Sequence, residues 1–271
     1  MKTRVITAAI AAAIAIAIIV VGSFVTPVLT VAICLVSALL CGELLSARKL
    51  HKKMVLFIPS LLFAILIPAL SATEARYIPL YIFVLGMCIM AVVLHKTVRT
   101  DDIIFAVAGV VLITVSLSTL NILVWEESAH SAFWVIFSLG VPWIADTAAY
   151  FVGNKFGKRK LSPEISPHKT VEGAIAGVLG GTLSALLFGL IFQLIYGNVT
   201  VFYGVLLMVG FINSIVSIFG DLVFSVIKRS CKIKDYGSIM PGHGGLLDRF
   251  DSVLFCLPLV YIFSQFFYFC L

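Results

Sequence analysis

The sequence predicts an all-α fold: a polytopic integral membrane helix bundle of about nine transmembrane helices, with a cytoplasmic N-terminus. Three observations carry this. Of the 271 residues, 61% are apolar and 12% charged, about half the charged share of a soluble domain. The mean hydropathy of +1.15 describes more apolar surface than a soluble domain of this size can hide beneath a wet shell, and it excludes disorder. The apolar residues also gather into stretches of the ~17–25 residues that cross a bilayer as a helix, the element that satisfies its own backbone polar groups in lipid.

The segments run as follows. The first, roughly 5–22, follows Lys2 and Arg4 and resembles a signal sequence. It lacks a convincing cleavage site, and the second, 24–42, comes almost at once, so it is expected to stay as a helix. Segments 54–72, 78–95 and 103–125 are plain apolar runs. Glu43, Glu74, Asp101, Asp102, Glu126 and Glu127 stand at segment ends or in short loops, where solvation accounts for them. Segment 131–152 carries Asp146. Segment 173–195 is rich in small residues, among them Gly173, Gly177, Gly180 and Gly181, which let helices approach closely. Segment 199–227 carries Asp221, and 250–271 opens beside Asp248 and Asp251. With the N-terminus inside, 18 of the 19 Lys and Arg residues fall on inner segments and only Arg76 on an outer one. That bias puts the C-terminus outside and explains the net charge of +6 without a nucleic-acid partner. The six cysteines form no C-x-x-C pair and read as small apolar residues.

Two regions follow. Residues 1–130 are transmembrane helices with no recognised motif. Residues 131–271 form a C-terminal catalytic transmembrane domain with two cytoplasmic loops, 153–172 and 228–249. Asp146 and Asp221 lie inside apolar segments, where a carboxylate costs a few kcal/mol and needs a polar cavity and a partner. In this topology Asp146, Asp221, Asp248 and Asp251 lie at similar depth on the cytoplasmic side. Asp248 and Asp251, three apart, share a face if a helix begins there. Four carboxylates at one level repel one another, and a divalent cation relieves that; oxygen-only ligands suit Mg²⁺, which takes substrate phosphates as further ligands. The loops carry the opposite charge. Residues 153–160 are basic and glycine-spaced, and Lys169 follows. The second loop holds Lys228, Arg229 and Lys234, then Gly242, Gly244 and Gly245, whose small size lets backbone N–H groups wrap an anion. Acids beside basic, glycine-rich loops are what phosphate transfer requires.

These residues resemble the phosphatidate cytidylyltransferase, or CDP-diacylglycerol synthase, family. Its signature reads Ser-x-x-Lys-Arg, four residues, Lys-Asp, then Pro-Gly-His-Gly-Gly-x-x-Asp-Arg-x-Asp. Ser225, Lys228, Arg229, Lys234, Asp235, Pro241 to Gly245, Asp248, Arg249 and Asp251 match it, and Gly220 and Asp221 precede it as in the family. A second family segment appears as Asp146, Thr147, Ala149, Tyr150 and Gly153. It continues through Ser162, Pro163, Ser166, Pro167, Lys169, Thr170, Glu172 and Gly173. The match runs from 146 to 251 without a departure at a motif position.

The resemblance implies transfer of the cytidylyl group of CTP to phosphatidic acid, giving CDP-diacylglycerol and pyrophosphate, with Mg²⁺ and room for a second cation. Asp221, Asp248 and Asp251 then hold metal, with Asp146 a fourth candidate. Lys169, Lys228, Arg229, Lys234 and Arg249 bind phosphates, as do Gly242, Gly244 and Gly245. His243 reads as a phosphate contact more than as a base, and Asp235 orients cations or binds the nucleotide. The partners implied are CTP, phosphatidic acid, membrane lipid and a second copy in a homodimer, at a bacterial cytoplasmic (inner) membrane with the active site facing the cytoplasm. The alternatives are a CTP-dependent lipid kinase, which could use similar loops, and an ion-coupled transporter, which would put charge in the outer half as well.

Overall fold

The computed structural model describes residues 2–197, 200–239 and 244–266. Each of the nine expected segments holds one helix: α1 Lys2–Phe24, α2 Thr26–Ala47, α3 Met54–Leu70, α4 Tyr77–Val93, α5 Thr100–Glu126, α6 Ser131–Phe156, α7 Val171–Tyr196, α8 Tyr203–Ser230 and α10 Val253–Phe266. A one-turn helix, α9, spans Leu247–Phe250, and two short strands, β1 Lys160–Ser162 and β2 Ser166–Thr170, pair antiparallel between α6 and α7. Five helices, α2 and α5 to α8, are long and apolar enough to cross a membrane; the rest of the apolar helices are shorter over the stretches described.

The chain divides into two units, Met1–Ala132 with Cys231–Arg249, and Phe133–Ser230 with Phe250–Leu271. The segment after α8 clusters with the N-terminal helices.

In the first unit α2, α3 and α5 pack on one another. Pro27 stands just inside the start of α2, where its missing N–H has no helical partner to lose. Leu40, Leu44, Leu45, Ala64, Ala106 and Val110 are buried where these helices meet. A polar knot crosses them: Asn121 Nδ2 donates to the Pro68 carbonyl at 3.1 Å and to Ser71 Oγ at 2.9 Å, and Thr30 Oγ1 donates to Asn121 Oδ1 at 2.7 Å. Such bonds hold helices together where lipid gives little hydrophobic drive. Two acids assigned to solvated ends are in fact buried. Asp102, 7% exposed, accepts from Arg48 Nε at 2.8 Å and Lys53 Nζ at 2.7 Å. Glu43, 6% exposed, is turned into the protein, away from water. A helix end is wet only on its outer side, and both side chains point inward.

In the second unit α8 packs against both α7 and α10. The small residues of α7 do what their spacing predicts. A Cβ on Gly173 would stand 2.7 Å from the Ala149 carbonyl oxygen, and one on Gly177 would stand 3.0 Å from that of Ala145. Glycines four apart on α7 thus meet residues four apart on α6, so the two backbones approach closely. The hairpin was not anticipated; residues 153–172 were expected as loop. Thr170 ends β2 and caps α7, its Oγ1 accepting from Gly173 N at 3.2 Å. Glu172 in the first turn of α7 accepts from Lys158 N at 3.0 Å and Arg159 N at 3.2 Å, which pins the strand entry. Gly153 and Gly157 pack on Thr170, so the glycine spacing of this loop serves close packing.

Candidate functional site

The second unit gathers Asp146, Asp221 and Asp251. Ser217, Asp221 and Ser225 repeat every four residues along α8 and therefore share one face. Ser225 Oγ donates to Asp221 Oδ1 at 3.3 Å, and Ser217 Oγ donates across to Asp146 Oδ1 on α6, also at 3.3 Å. Gly220 lets the turn before α10 approach, since a Cβ there would stand 3.0 Å from the Asp251 carbonyl oxygen. In that turn Ser252 Oγ donates to Asp146 Oδ2 at 2.7 Å, and Ser252 N donates to Asp251 Oδ1 at 2.8 Å. The last bond competes with helical pairing, and α10 starts only at Val253. Asp248 and Asp251 therefore do not share one helix face: α9 ends at Phe250, and a turn separates it from α10.

Two lysines stand among these acids. Lys169, at the end of β2, places Nζ 2.5 Å from Asp221 Oδ2. Lys228, one turn past Ser225, places Nζ 3.8 Å from Asp251 Oδ2. Asp146, Asp221 and Asp251 fall within electrostatic reach of one another, with Lys169 and Lys228 as the cations among them. Three carboxyl groups and two lysine side chains thus meet in a mainly apolar unit. Arg229 is exposed, with Nε 3.5 Å from the Ile165 carbonyl oxygen of the hairpin.

The remaining predicted residues belong to the first unit. Asp248 Oδ2 accepts from Tyr236 N at 2.9 Å and Gly245 N at 3.0 Å. Gly244 takes the left-handed backbone with φ +84°, which glycine adopts freely, and a Cβ there would stand 3.2 Å from Asp248 Oδ2. Lys234, Asp235 and Arg249 are exposed. Gly242 and His243 lie outside the described residues. The N–H of Gly245, expected to face an anion, is directed to Asp248.

The sequence gives Ser225 as a motif match and Glu43 as a solvated segment end, and it assigns no role to Ser217 or Ser252. The i, i+4, i+8 spacing of Ser217, Asp221 and Ser225 was a usable signal; Ser252 and Glu43 gave none, because their contacts are made across the fold.

For metal, the donors are all carboxylate and hydroxyl oxygen, the hard set that Mg²⁺ takes. Among the described residues, no three acidic, His or Cys side chains converge into a group that holds an ion alone. The set fits a cation that completes its shell with phosphate and water, as Mg²⁺ commonly does.

Comparison with known proteins places the chain within a family. The profile of the cytidylyltransferase family matches residues 2–267. A phosphatidate cytidylyltransferase of Bacillus subtilis is 34% identical over 271 residues, covering 96% of this chain and 96% of the relative. One from Staphylococcus epidermidis is 33% identical over 267 residues, covering 97% and 98%. One from Staphylococcus aureus is 36% identical over 138 residues, 51% of each chain.

Proposed function

The chain belongs to the cytidylyltransferase family, and from that premise we propose that it is an integral membrane nucleotidyltransferase: it transfers the cytidylyl group of CTP to phosphatidic acid, giving CDP-diacylglycerol and pyrophosphate. The observation that carries the reading is the set of Asp146, Asp221 and Asp251 interleaved with Lys169 and Lys228 in an apolar helical unit. Such a set supports phosphate chemistry at a membrane surface, with one substrate held in the leaflet and the other arriving from water.

In the proposed reaction an oxygen of the lipid phosphate forms a bond to the α-phosphorus of CTP. The bond from that phosphorus to the oxygen bridging to the β-phosphate breaks, and pyrophosphate leaves. A phosphate monoester has a second pKa of about 6, so the nucleophile is already anionic at neutral pH and needs no strong base. The main barrier is the approach of two polyanions. Lys169 and Lys228 lower it, each held near its place by a carboxylate, and fixing both substrates in line removes an entropy cost. Asp221 and Asp251, with Asp146, would hold Mg²⁺, and the motif match gives Asp248 the same role. When bound, Mg²⁺ supplies charge neutralisation for the phosphates. Arg229, Lys234 and Arg249, with Gly242 and Gly244, contact phosphates; His243 does so too, and Asp235 orients cations or binds the nucleotide.

The topology that goes with this reading has about nine spans, the N-terminus in the cytoplasm and the site on the cytoplasmic side of a bacterial inner membrane. The resemblance adds a second cation and a homodimer.

Detergent-purified protein given CTP, phosphatidic acid and Mg²⁺ should yield CDP-diacylglycerol, identified by mass, and one pyrophosphate per lipid converted. Omission of either substrate or of metal should abolish both. Folded protein that makes neither product would refute the proposal and return the embedded acids to ion transport.

A further inference from the structure

We propose that Glu43, on α2 and remote in sequence from the motif, is a positioning residue that sets the turn carrying Asp248 and Arg249. The proposal rests on the reading of those two residues as groups acting on CTP and its metal. Glu43 Oε1 accepts from Leu246 N at 3.0 Å, and Oε2 accepts from Leu247 N at 2.7 Å. These amides directly precede Asp248 and open the single turn of α9. The neighbouring amide, Gly245 N, donates to Asp248 itself. Three consecutive N–H groups are thus divided between two carboxylates, and the division fixes the rotation of the turn. Two glycines make room for it. A Cβ on Gly237 would stand 2.5 Å from Glu43 Oε1, and one on Gly245 would stand 2.7 Å from Oε2. A carboxylate in an apolar helix is costly unless its oxygens are satisfied, and backbone amides that meet a charged acceptor bond more strongly than neutral pairs do. With one bond per oxygen, Glu43 holds the turn at two points, which blocks the rotation that a single bond would permit. Packing alone needs no charge here; directed acceptors do.

The test uses the full chain in detergent. In Glu43→Ala, hydrogen exchange of the Leu246 and Leu247 amides should speed up about tenfold relative to the rest of the protein, the loss of one hydrogen bond of about 1.4 kcal/mol. The Mg²⁺ concentration for half-maximal turnover should rise, and kcat should fall at least about tenfold. Glu43→Gln, which keeps one acceptor oxygen and one bond, should fall between. Gly237→Ala keeps the acid but crowds Oε1, and it should reproduce the local exchange and the raised Mg²⁺ requirement if Glu43→Ala does not fold. A merely structural role would lower the amount of folded enzyme and leave the Mg²⁺ requirement where it was. Unchanged exchange at Leu246 and Leu247, or an unchanged Mg²⁺ requirement in both variants, would overturn the proposal. If the wild-type chain makes no CDP-diacylglycerol, the reaction assigned above fails, and the exchange measurement alone then decides the anchor.

Discussion

Asp221 is the residue on which the proposed site turns. It shares α8 with Ser217 and Ser225, pairs with Lys169, and lies within the fields of Asp146 and Asp251. Asp221→Asn keeps the side-chain volume and an oxygen for Ser225 but removes the charge. The fold should persist while kcat drops at least about 100-fold, the scale for losing one group that stabilises transition-state charge; a melting curve and a turnover assay on one preparation check both. Lys169→Met removes the cation 2.5 Å from Asp221. A charge-assisted contact of about 1.5–3 kcal/mol corresponds to roughly a tenfold to hundredfold loss in kcat/KM. That loss should appear as a raised KM for CTP. The embedded acids were legible in the sequence because a charge inside an apolar run needs a reason. Glu43 and Asp102 were not, because an acid near the end of a run is equally consistent with water. Only the fold brings Arg48 and Lys53 to Asp102, and the amides of Leu246 and Leu247 to Glu43.

At the scale of elements, the contact of α6 with α7 is the most exacting. Gly177 faces the Ala145 carbonyl, and that backbone atom cannot swing aside as a side chain would. Gly177→Leu should force the helices apart and cost about 1–3 kcal/mol or more, the range for overpacking. Gly86 in α4 is the internal control: nothing lies within 4 Å of a Cβ there. Gly86→Ala should therefore be neutral, or stabilise by up to about 1 kcal/mol from helix propensity. Thermal melting of the two variants side by side measures the contrast. Hydropathy located the nine apolar helices seen among the described residues to within about five residues, because lipid forces nearly every backbone polar group into a helix. It could not find β1 and β2. Each is only 3–5 residues long, and Pro163 just after β1 and Pro167 within β2 read as loop. It could not place the break between α9 and α10 either, since the bond from Ser252 N to Asp251 is a local choice that no periodicity records.

For the whole molecule, the charge bias supports the proposed orientation, which can be tested without activity. Protease applied to the cytoplasmic face of sealed vesicles should cut the basic stretch between α6 and β1. The same protease on the outer face should cut only near Arg76, the one basic residue assigned outside. Cleavage at 155–160 from the outer face would invert the topology and with it the cytoplasmic site. The central claim is that the bond broken lies between the α- and β-phosphates of CTP. The most direct measurement follows label from CTP carrying radioactive phosphate at either the α or the γ position, with phosphatidic acid as acceptor. The account predicts that α-label enters the lipid and γ-label leaves as pyrophosphate. Entry of γ-label into the lipid, with the α-label left in CDP, would mean a kinase and contradict it.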